Sequence, residues 1–132
     1  MKFGTRQRST LPDVMAPDGS EVRILVAGAR GSMAQFTLAP GAVSKAVAHR
    51  TVEEVWLVIS GHGRMWRQLG SEEETVELLP GTSLAIPAGA SFQFRNDGGT
   101  PLECVGITMP PWPGMQEAYE VPGLWRQPFT ER

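Results

Sequence analysis

Short apolar runs recur along the chain from residue 20 onward, and clusters of Gly, Pro, Asn and Asp separate them. Runs of about four to eight residues that are rich in Val, Ile, Leu and Phe and bounded by turn residues are typical of β-strands. The predicted strands lie at residues 21–27, 32–38, 44–48, 54–60, 64–69, 74–78, 83–86, 91–95 and 102–109. Because helical periodicity is nearly absent, the pattern predicts an all-β sandwich or barrel.

The segments between the predicted strands carry the chemistry of tight turns. In pairs such as Pro80-Gly81 the proline presets φ and the glycine supplies a positive φ. The spacing predicts one domain over residues 1–132, with a barrel core at about 20–110, an N-terminal arm at 1–19 and a tail at 110–132. The tail is rich in Pro and Trp, so we expect three of its rings to pack against the barrel or a partner chain: Trp112, Tyr119 and Trp125.

Composition and charge narrow the classes of protein that the chain can represent. With 12 Lys and Arg against 14 Asp and Glu the net charge is -2, and no basic stretch predicts binding to nucleic acid. Cys104 is the single cysteine, so an intramolecular disulfide and a four-cysteine metal site are excluded. No apolar run reaches the roughly 20 residues of a membrane span, and no secretory signal is recognisable. A cytoplasmic protein without membrane partners is therefore expected.

Two segments resemble the paired motifs of the cupin superfamily. Residues 41–61 resemble the first motif, G-x5-H-x-H-x3/4-E-x6-G, and residues 81–96 resemble the second, G-x5-P-x-G-x2-H-x3-N. The matching positions are Gly41, His49, Glu54 and Gly61 in the first segment, and Gly81, Pro87, Gly89 and Asn96 in the second. The resemblance implies a double-stranded β-helix, or jelly-roll barrel. It also implies a homodimer, since small cupins commonly pair.

The departures from these motifs concern the metal site. In metal-binding cupins the two motifs supply three His and one Glu to a divalent metal ion, whereas here Val47 and Phe92 stand at two of the His positions. One imidazole and one carboxylate cannot enforce the geometry of a transition-metal site. The expected cofactor is therefore none. The alternative is a divalent transition metal held by His49 and Glu54.

Strand alternation predicts which side chains share the interior with this remaining pair. Residues two apart on a strand point to the same face. The resemblance then implies a pocket with the following lining: Val47, His49, Glu54, Trp56, Phe92 and Phe94. Apolar walls with a few convergent polar groups are the usual composition of a small-molecule site, and they favour a hydrophobic or aromatic ligand.

A histidine beside a glutamate in a poorly solvated pocket is a candidate general base. The leading hypothesis is a metal-independent isomerase, cyclase or lyase in which His49 is the base and Glu54 orients it. Two alternatives stay open: a divalent-metal-dependent, oxygenase-like enzyme with a reduced ligand set, and a non-catalytic module that binds a ligand or a partner.

Other reactive side chains receive mainly structural interpretations. His62 lies in a Gly-His-Gly turn that is predicted at the rim of the barrel. A lone buried cysteine such as Cys104 is more often a small core residue than a ligand or nucleophile. The sequence does not decide whether Arg64 and Trp66 face the pocket or the outside.

Overall fold

The computed structural model describes residues 3–126, and that part of the chain consists almost entirely of β-strands. The strands are β1 (Val14–Met15), β2 (Glu21–Ala27), β3 (Ser32–Leu38), β4 (Val47–His49), β5 (Glu53–Ser60), β6 (Gly63–Leu69), β7 (Glu72–Leu78), β8 (Ser83–Ile86), β9 (Ser91–Asn96), β10 (Leu102–Met109) and β11 (Ala118–Glu120). A 3-10 turn at Met115–Glu117 precedes β11.

The strands form two antiparallel sheets that face each other. One sheet has the order β1-β2-β3-β10-β5-β8 and the other the order β11-β4-β9-β6-β7. From β3 to β6 the chain changes sheet at every connection, and it changes again from β7 through β10. The prediction of an all-β, double-stranded β-helix is confirmed.

The core lies between the sheets and follows from strand alternation. On β5, Trp56 and Val58 are buried while Val55 and Leu57 are partly exposed. Fully buried side chains in the centre come from four strands, β6, β7, β9 and β10: Met65, Leu78, Phe94, Leu102 and Cys104. The period of two residues therefore separates the core face from the outer face of each sheet.

The nine predicted strands are present, with shifted ends that have local causes. β4 begins at Val47 because the N–H of Lys45 donates to the carbonyl of Asp18 at 2.8 Å. β7 begins two residues earlier than predicted, at Glu72, because Glu72 and Glu73 pair in register with residues 69 and 68 of β6. The edge strands β1 and β11 are too short to give a sequence pattern.

The tail packs on the five-stranded sheet, as the sequence predicts. Arg95 lies over the Trp125 ring at 4.9 Å, and Arg50 lies over the Tyr119 ring at 4.6 Å. The side-chain oxygen of Gln93 accepts hydrogen bonds from the backbone N–H groups of residues 124 and 125. These contacts hold residues 119–125 against the barrel.

Candidate functional site

A cavity of about 300 Å³ opens between the two sheets, beside the edge strands β1 and β11. Most of its lining is apolar. Five of the six residues predicted for the pocket line it: Val47, His49, Glu54, Trp56 and Phe92. The prediction did not include the rest of the wall. Strands β1, β2, β3, β10 and β11 contribute to it, together with Asp18 from the β1–β2 loop and Pro111, Trp112 and Met115 from the tail.

Phe94 is the exception among the predicted lining residues. It shares a face of β9 with Phe92, but it lies two residues further into the core, is 0% exposed and does not line the cavity. Its ring packs edge to face against Trp56 at 5.1 Å. Alternation gave the correct face and the wrong depth, so Phe94 is a core residue that supports the cavity wall.

His49 and Glu54 lie side by side because a short turn joins β4 to β5. The Nδ1 atom of His49 lies 3.3 Å from Oε1 of Glu54, and both side chains are buried, with relative exposures of 7% and 3%. The two atoms are not aligned as a hydrogen bond, so Nδ1 has no hydrogen-bond partner within the described residues. The other oxygen of Glu54 accepts a hydrogen bond from Trp56 Nε1 at 3.3 Å.

Two aromatic rings hold the imidazole of His49 from opposite parts of the fold. Phe92 on β9 meets it edge to face at 5.3 Å, and Trp112 in the tail meets it at 5.1 Å. The backbone N–H of Trp112 donates to Ser32 Oγ on β3 at 2.9 Å. The tail therefore supplies one wall of the histidine's environment.

Burial sets the proton state of the pair. Burial lowers the pKa of His49 to about 4, although the negative charge of Glu117 opposes the shift. Burial raises the pKa of Glu54 to about 8; the Trp56 hydrogen bond opposes this shift and the charge of Asp18 adds to it. Both shifts favour the neutral forms at pH 7, and between neutral groups the 3.3 Å contact is not an ion pair. The carboxyl proton of Glu54 is the proton that the pair can share.

Glu117 lies behind His49 and was not recognised from the sequence. Its carboxylate accepts hydrogen bonds from the Thr51 N–H at 2.5 Å, the Thr51 hydroxyl at 2.7 Å and the Val52 N–H at 2.9 Å. Burial alone would raise its pKa, but these donors and the nearby His49 lower it. Glu117 thus fastens the tail to the turn between β4 and β5, and nothing in the tail sequence indicates this.

Asp18 is a second residue of the cavity that sequence reasoning missed. It is 5% exposed, and its Oδ1 accepts hydrogen bonds from the backbone N–H of Ser20 at 2.9 Å and from the Ser20 hydroxyl at 2.7 Å. Burial raises the pKa of Asp18, and the Ser20 bonds oppose that shift. The Asp-Gly-Ser sequence signals a turn, but only the fold brings this turn to the cavity.

The residues present do not fit the metal site that the cupin motifs imply. Val47 and Phe92, at the positions of two expected His ligands, are direct cross-strand partners on β4 and β9, and both are buried in the cavity wall. Within residues 3–126, no group of three or more His, Cys, Asp or Glu side chains is arranged to hold a metal ion. His49 and Glu54 alone do not make up the ligand set of a metal-binding cupin.

The remaining reactive residues lie away from the cavity. His62 is in the turn before β6, and Arg64 pairs with Asp97 at 3.0 Å. Trp66 donates to Glu73 at 2.6 Å. Cys104 is 0% exposed in the core, and burial raises the pKa of its thiol to about 12. A protonated, enclosed thiol is a poor nucleophile, which agrees with its predicted structural role.

Comparisons with known proteins identify the family. A family model described as "Cupin domain" matches residues 34–108, more than half of the chain. The chain therefore belongs to the cupin family. No helix within the described residues is long and apolar enough to cross a membrane.

Two curated relatives differ in how much of their length the chain spans. The xanthan biosynthesis protein XanB of Xanthomonas campestris pv. campestris is 31% identical over 80 residues, which is 61% of this chain but 16% of the relative. The uncharacterized protein MJ1618 of Methanocaldococcus jannaschii is 25% identical over 117 residues, which is 85% of this chain and 90% of the relative.

Solved structures support the fold alone, because their sequence identities are low. Bacillus subtilis oxalate decarboxylase, in a study of its Mn(II) centers, aligns with a TM-score of 0.71 at 20% identity, covering 85% of this chain and 30% of that chain. A double-stranded β-helix protein of Klebsiella pneumoniae subsp. pneumoniae aligns with a TM-score of 0.63 at 17% identity, covering 90% and 91%.

Proposed function

We propose that the chain is a metal-independent enzyme of the isomerase, cyclase or lyase type that acts on an apolar small molecule. The observation that carries this proposal is the buried contact of 3.3 Å between His49 and Glu54 at the wall of an apolar cavity. Perturbed, closely paired acid and base groups in a cavity are a common property of catalytic sites. In this role His49 removes a proton from the ligand and Glu54 orients the ring.

The proton state of the pair determines when His49 can act as a base. With Nδ1 directed at Glu54, Nε2 is the ring nitrogen that can reach a ligand. Nε2 is basic only when Nδ1 carries the proton, and an ionised carboxylate at Glu54 favours that tautomer. Because the pKa of Glu54 is about 8, the basic form becomes more populated as the pH rises towards that value.

The unaligned Nδ1 contact is consistent with this role. Catalytic hydrogen bonds are often long or poorly aligned in a free enzyme and tighten when substrate binds. A small rotation of the His49 ring would align Nδ1 with Glu54 and satisfy the buried nitrogen. Phe92 and Trp112 limit how far the ring can turn.

Hydrogen–deuterium exchange at carbon tests the proposal without knowledge of the natural substrate. Purified protein is incubated in D2O with a panel of aromatic and alicyclic ketones, and deuterium next to the carbonyl is measured by NMR. We expect catalysed exchange that falls by about 10²-fold or more in His49→Ala, the typical contribution of a general base. His62→Ala is the matched control, since it alters the second of the two histidines, outside the cavity.

Three outcomes of this assay would redirect the proposal. Exchange that is equal in His49→Ala and wild type contradicts the role of His49. Exchange that EDTA abolishes and a divalent metal restores favours a metal-dependent cupin enzyme with a reduced ligand set. Exchange at the uncatalysed rate for every ketone favours a module that binds a ligand without changing it.

We also propose a cytoplasmic homodimer. The outer face of β5 presents an apolar row with relative exposures of 38% at Val55, 44% at Leu57 and 48% at Ile59, and covering such a row is a common reason for subunits to pair. A free, buried Cys104 suits a reducing compartment. Light scattering should give twice the mass of 14.4 kDa, and Leu57→Lys should return the monomer.

A further inference from the structure

We propose that the ligand of this cavity carries a basic nitrogen on an apolar body, and that Asp18 is the residue that binds the ammonium group. This inference rests on the proposed function, because it assigns a substrate class to the same cavity. It comes from the charge inventory of the lining, from the geometry of Asp18 and from the aromatic walls.

Apart from His49, the titratable side chains that line the cavity are acidic. Asp18 and Glu54 supply two carboxyl groups, and none of the described lining residues is Lys or Arg. Lys45 donates its backbone N–H to the Asp18 carbonyl, but its ammonium group lies 3.5 Å from Glu120 instead. An anionic ligand would therefore meet carboxyl groups without a counter-charge, and burying an unpaired charge is unfavourable.

Asp18 has an oxygen that is available to a ligand. The two hydrogen bonds that Ser20 donates to its side chain, from the backbone N–H and from the hydroxyl, both go to Oδ1. No other described residue donates a hydrogen bond to Oδ2, although Asp18 is only 5% exposed and lines the cavity. A carboxylate oxygen in a cavity that is shielded from water is stabilised by a cationic donor. The Ser20 bonds fix the carboxyl group and so prepare Oδ2 to accept one.

The walls around the two carboxyl groups also suit a cation. Phe36, Trp56, Phe92 and Trp112 all line the cavity. The π-faces of aromatic rings attract ammonium groups, most strongly at sites shielded from water. A cavity of about 300 Å³ lies at the small end of ligand sites, so the apolar body is about one ring with a short chain.

Three matched probes test the proposal at neutral pH by titration calorimetry. They are 2-phenylethylamine, 2-phenylethanol and phenylacetate, which are similar in size and are cationic, neutral and anionic. We expect the amine to bind at least tenfold more tightly than the alcohol, and phenylacetate to show no measurable binding. An amine that binds no more tightly than the alcohol, phenylacetate that binds as well as the amine, or no saturable binding of any probe would overturn the proposal.

Asp18→Asn and Glu120→Gln then assign the preference to a residue. Asparagine retains the oxygen that accepts the two Ser20 bonds, so Asp18→Asn should fold and should bind amine and alcohol equally. Glu120→Gln removes one negative charge at the exposed partner of Lys45 and should keep the preference of wild type. An unchanged amine preference in Asp18→Asn contradicts the assignment of ammonium binding to Asp18. The class of ligand is tested separately, by the ranking of the three probes on the wild-type protein.

Failure of this inference is distinct from failure of the proposed function. Probe binding requires no turnover, and exchange at carbon requires no amine. Loss of the amine preference with His49-dependent exchange intact would overturn the ligand class alone. A clear amine preference with exchange that is indifferent to His49→Ala would overturn the proton-transfer role alone.

Discussion

Two glutamates lie on either side of His49, and their environments are opposite. Glu54 points into the cavity and accepts a single hydrogen bond, from Trp56, within the described part of the chain, whereas Glu117 accepts three hydrogen bonds from Thr51 and Val52. Both are almost fully buried, with 3% and 6% exposure. Burial raises the pKa of Glu54 to about 8, but at Glu117 the donors outweigh burial and the pKa is lowered.

The comparison distinguishes a residue that stabilises the native state, Glu117, from a residue that destabilises it, Glu54. Glu117 stabilises the native state because its charge is satisfied by donors on the β4–β5 turn. Glu54 must take up a proton at neutral pH to remain buried, which costs free energy of folding. Catalytic and binding groups commonly destabilise the fold in this way, so the comparison supports a functional role for Glu54.

Replacing Glu54 should give the largest effect. A carboxyl group whose pKa is raised in the folded state does not lower the free energy of unfolding at pH values below its ordinary pKa, which is 4.5 for Glu54. Above that pH the destabilisation grows until the pH reaches the folded-state pKa of about 8. Glu54→Gln should therefore stabilise the protein at pH 8 by about 2–4 kcal/mol, with little gain at pH 4.5. Urea unfolding at the two pH values measures this. A variant that is less stable than wild type at pH 8 would show that the carboxyl group is ionised and well paired.

The matching replacement of Glu117 should have the opposite sign. Its lowered pKa contributes stability that is present above 4.5 and is lost as the pH falls through the folded-state value. Glu117→Gln should destabilise the protein at pH 7 by about 1–3 kcal/mol, because the charge-assisted bonds to Thr51 and Val52 weaken. Thermal unfolding of the variant and the wild type at pH 7 and in acid measures the sign of the stability difference and its dependence on pH. A penalty that does not shrink in acid would contradict the assignment.

Removal of the Trp112 ring should have the smallest effect on the stability of the protein, but it should change the pKa of His49. The indole shields the imidazole from water at 5.1 Å, so Trp112→Ala should let the pKa of His49 move up from about 4 towards 6.5. Histidine NMR signals measured across pH report this directly. Trp66→Ala is a control for loss of an indole elsewhere, since Trp66 does not line the cavity. Equal His49 titration in both variants would exclude shielding by the tail.

The sequence predicted the fold and one half of the site for the same physical reason. Strand alternation and the turn residues place Val47, His49 and Glu54 on inward faces, and these positions are local properties of single strands. The depth of Phe94 was wrong because alternation defines the face of a side chain but not its distance from the cavity. The strand pattern was sufficient to predict the barrel, but it did not predict where the cavity opens.

The other half of the site depends on contacts between distant segments. Asp18 reaches the cavity because the chain before β2 adds an edge strand and its carbonyl bonds to Lys45. Glu117 reaches the β4–β5 turn, 65 residues away from Val52 in sequence, through the returning tail. An Asp in a turn and a Glu in a proline-rich tail carry no local signal of either contact. Such residues become visible only when the tertiary fold is known.

The most direct test of the account is an NMR titration of His49 and Glu54 in the wild-type protein, with the side-chain carboxyl and imidazole groups isotopically labelled. His49→Ala and Glu54→Gln assign the two signals. We predict a neutral imidazole at pH 7 that becomes charged only near pH 4, and a carboxyl group that loses its proton near pH 8. A charged imidazole beside an ionised carboxylate at pH 7 would contradict it.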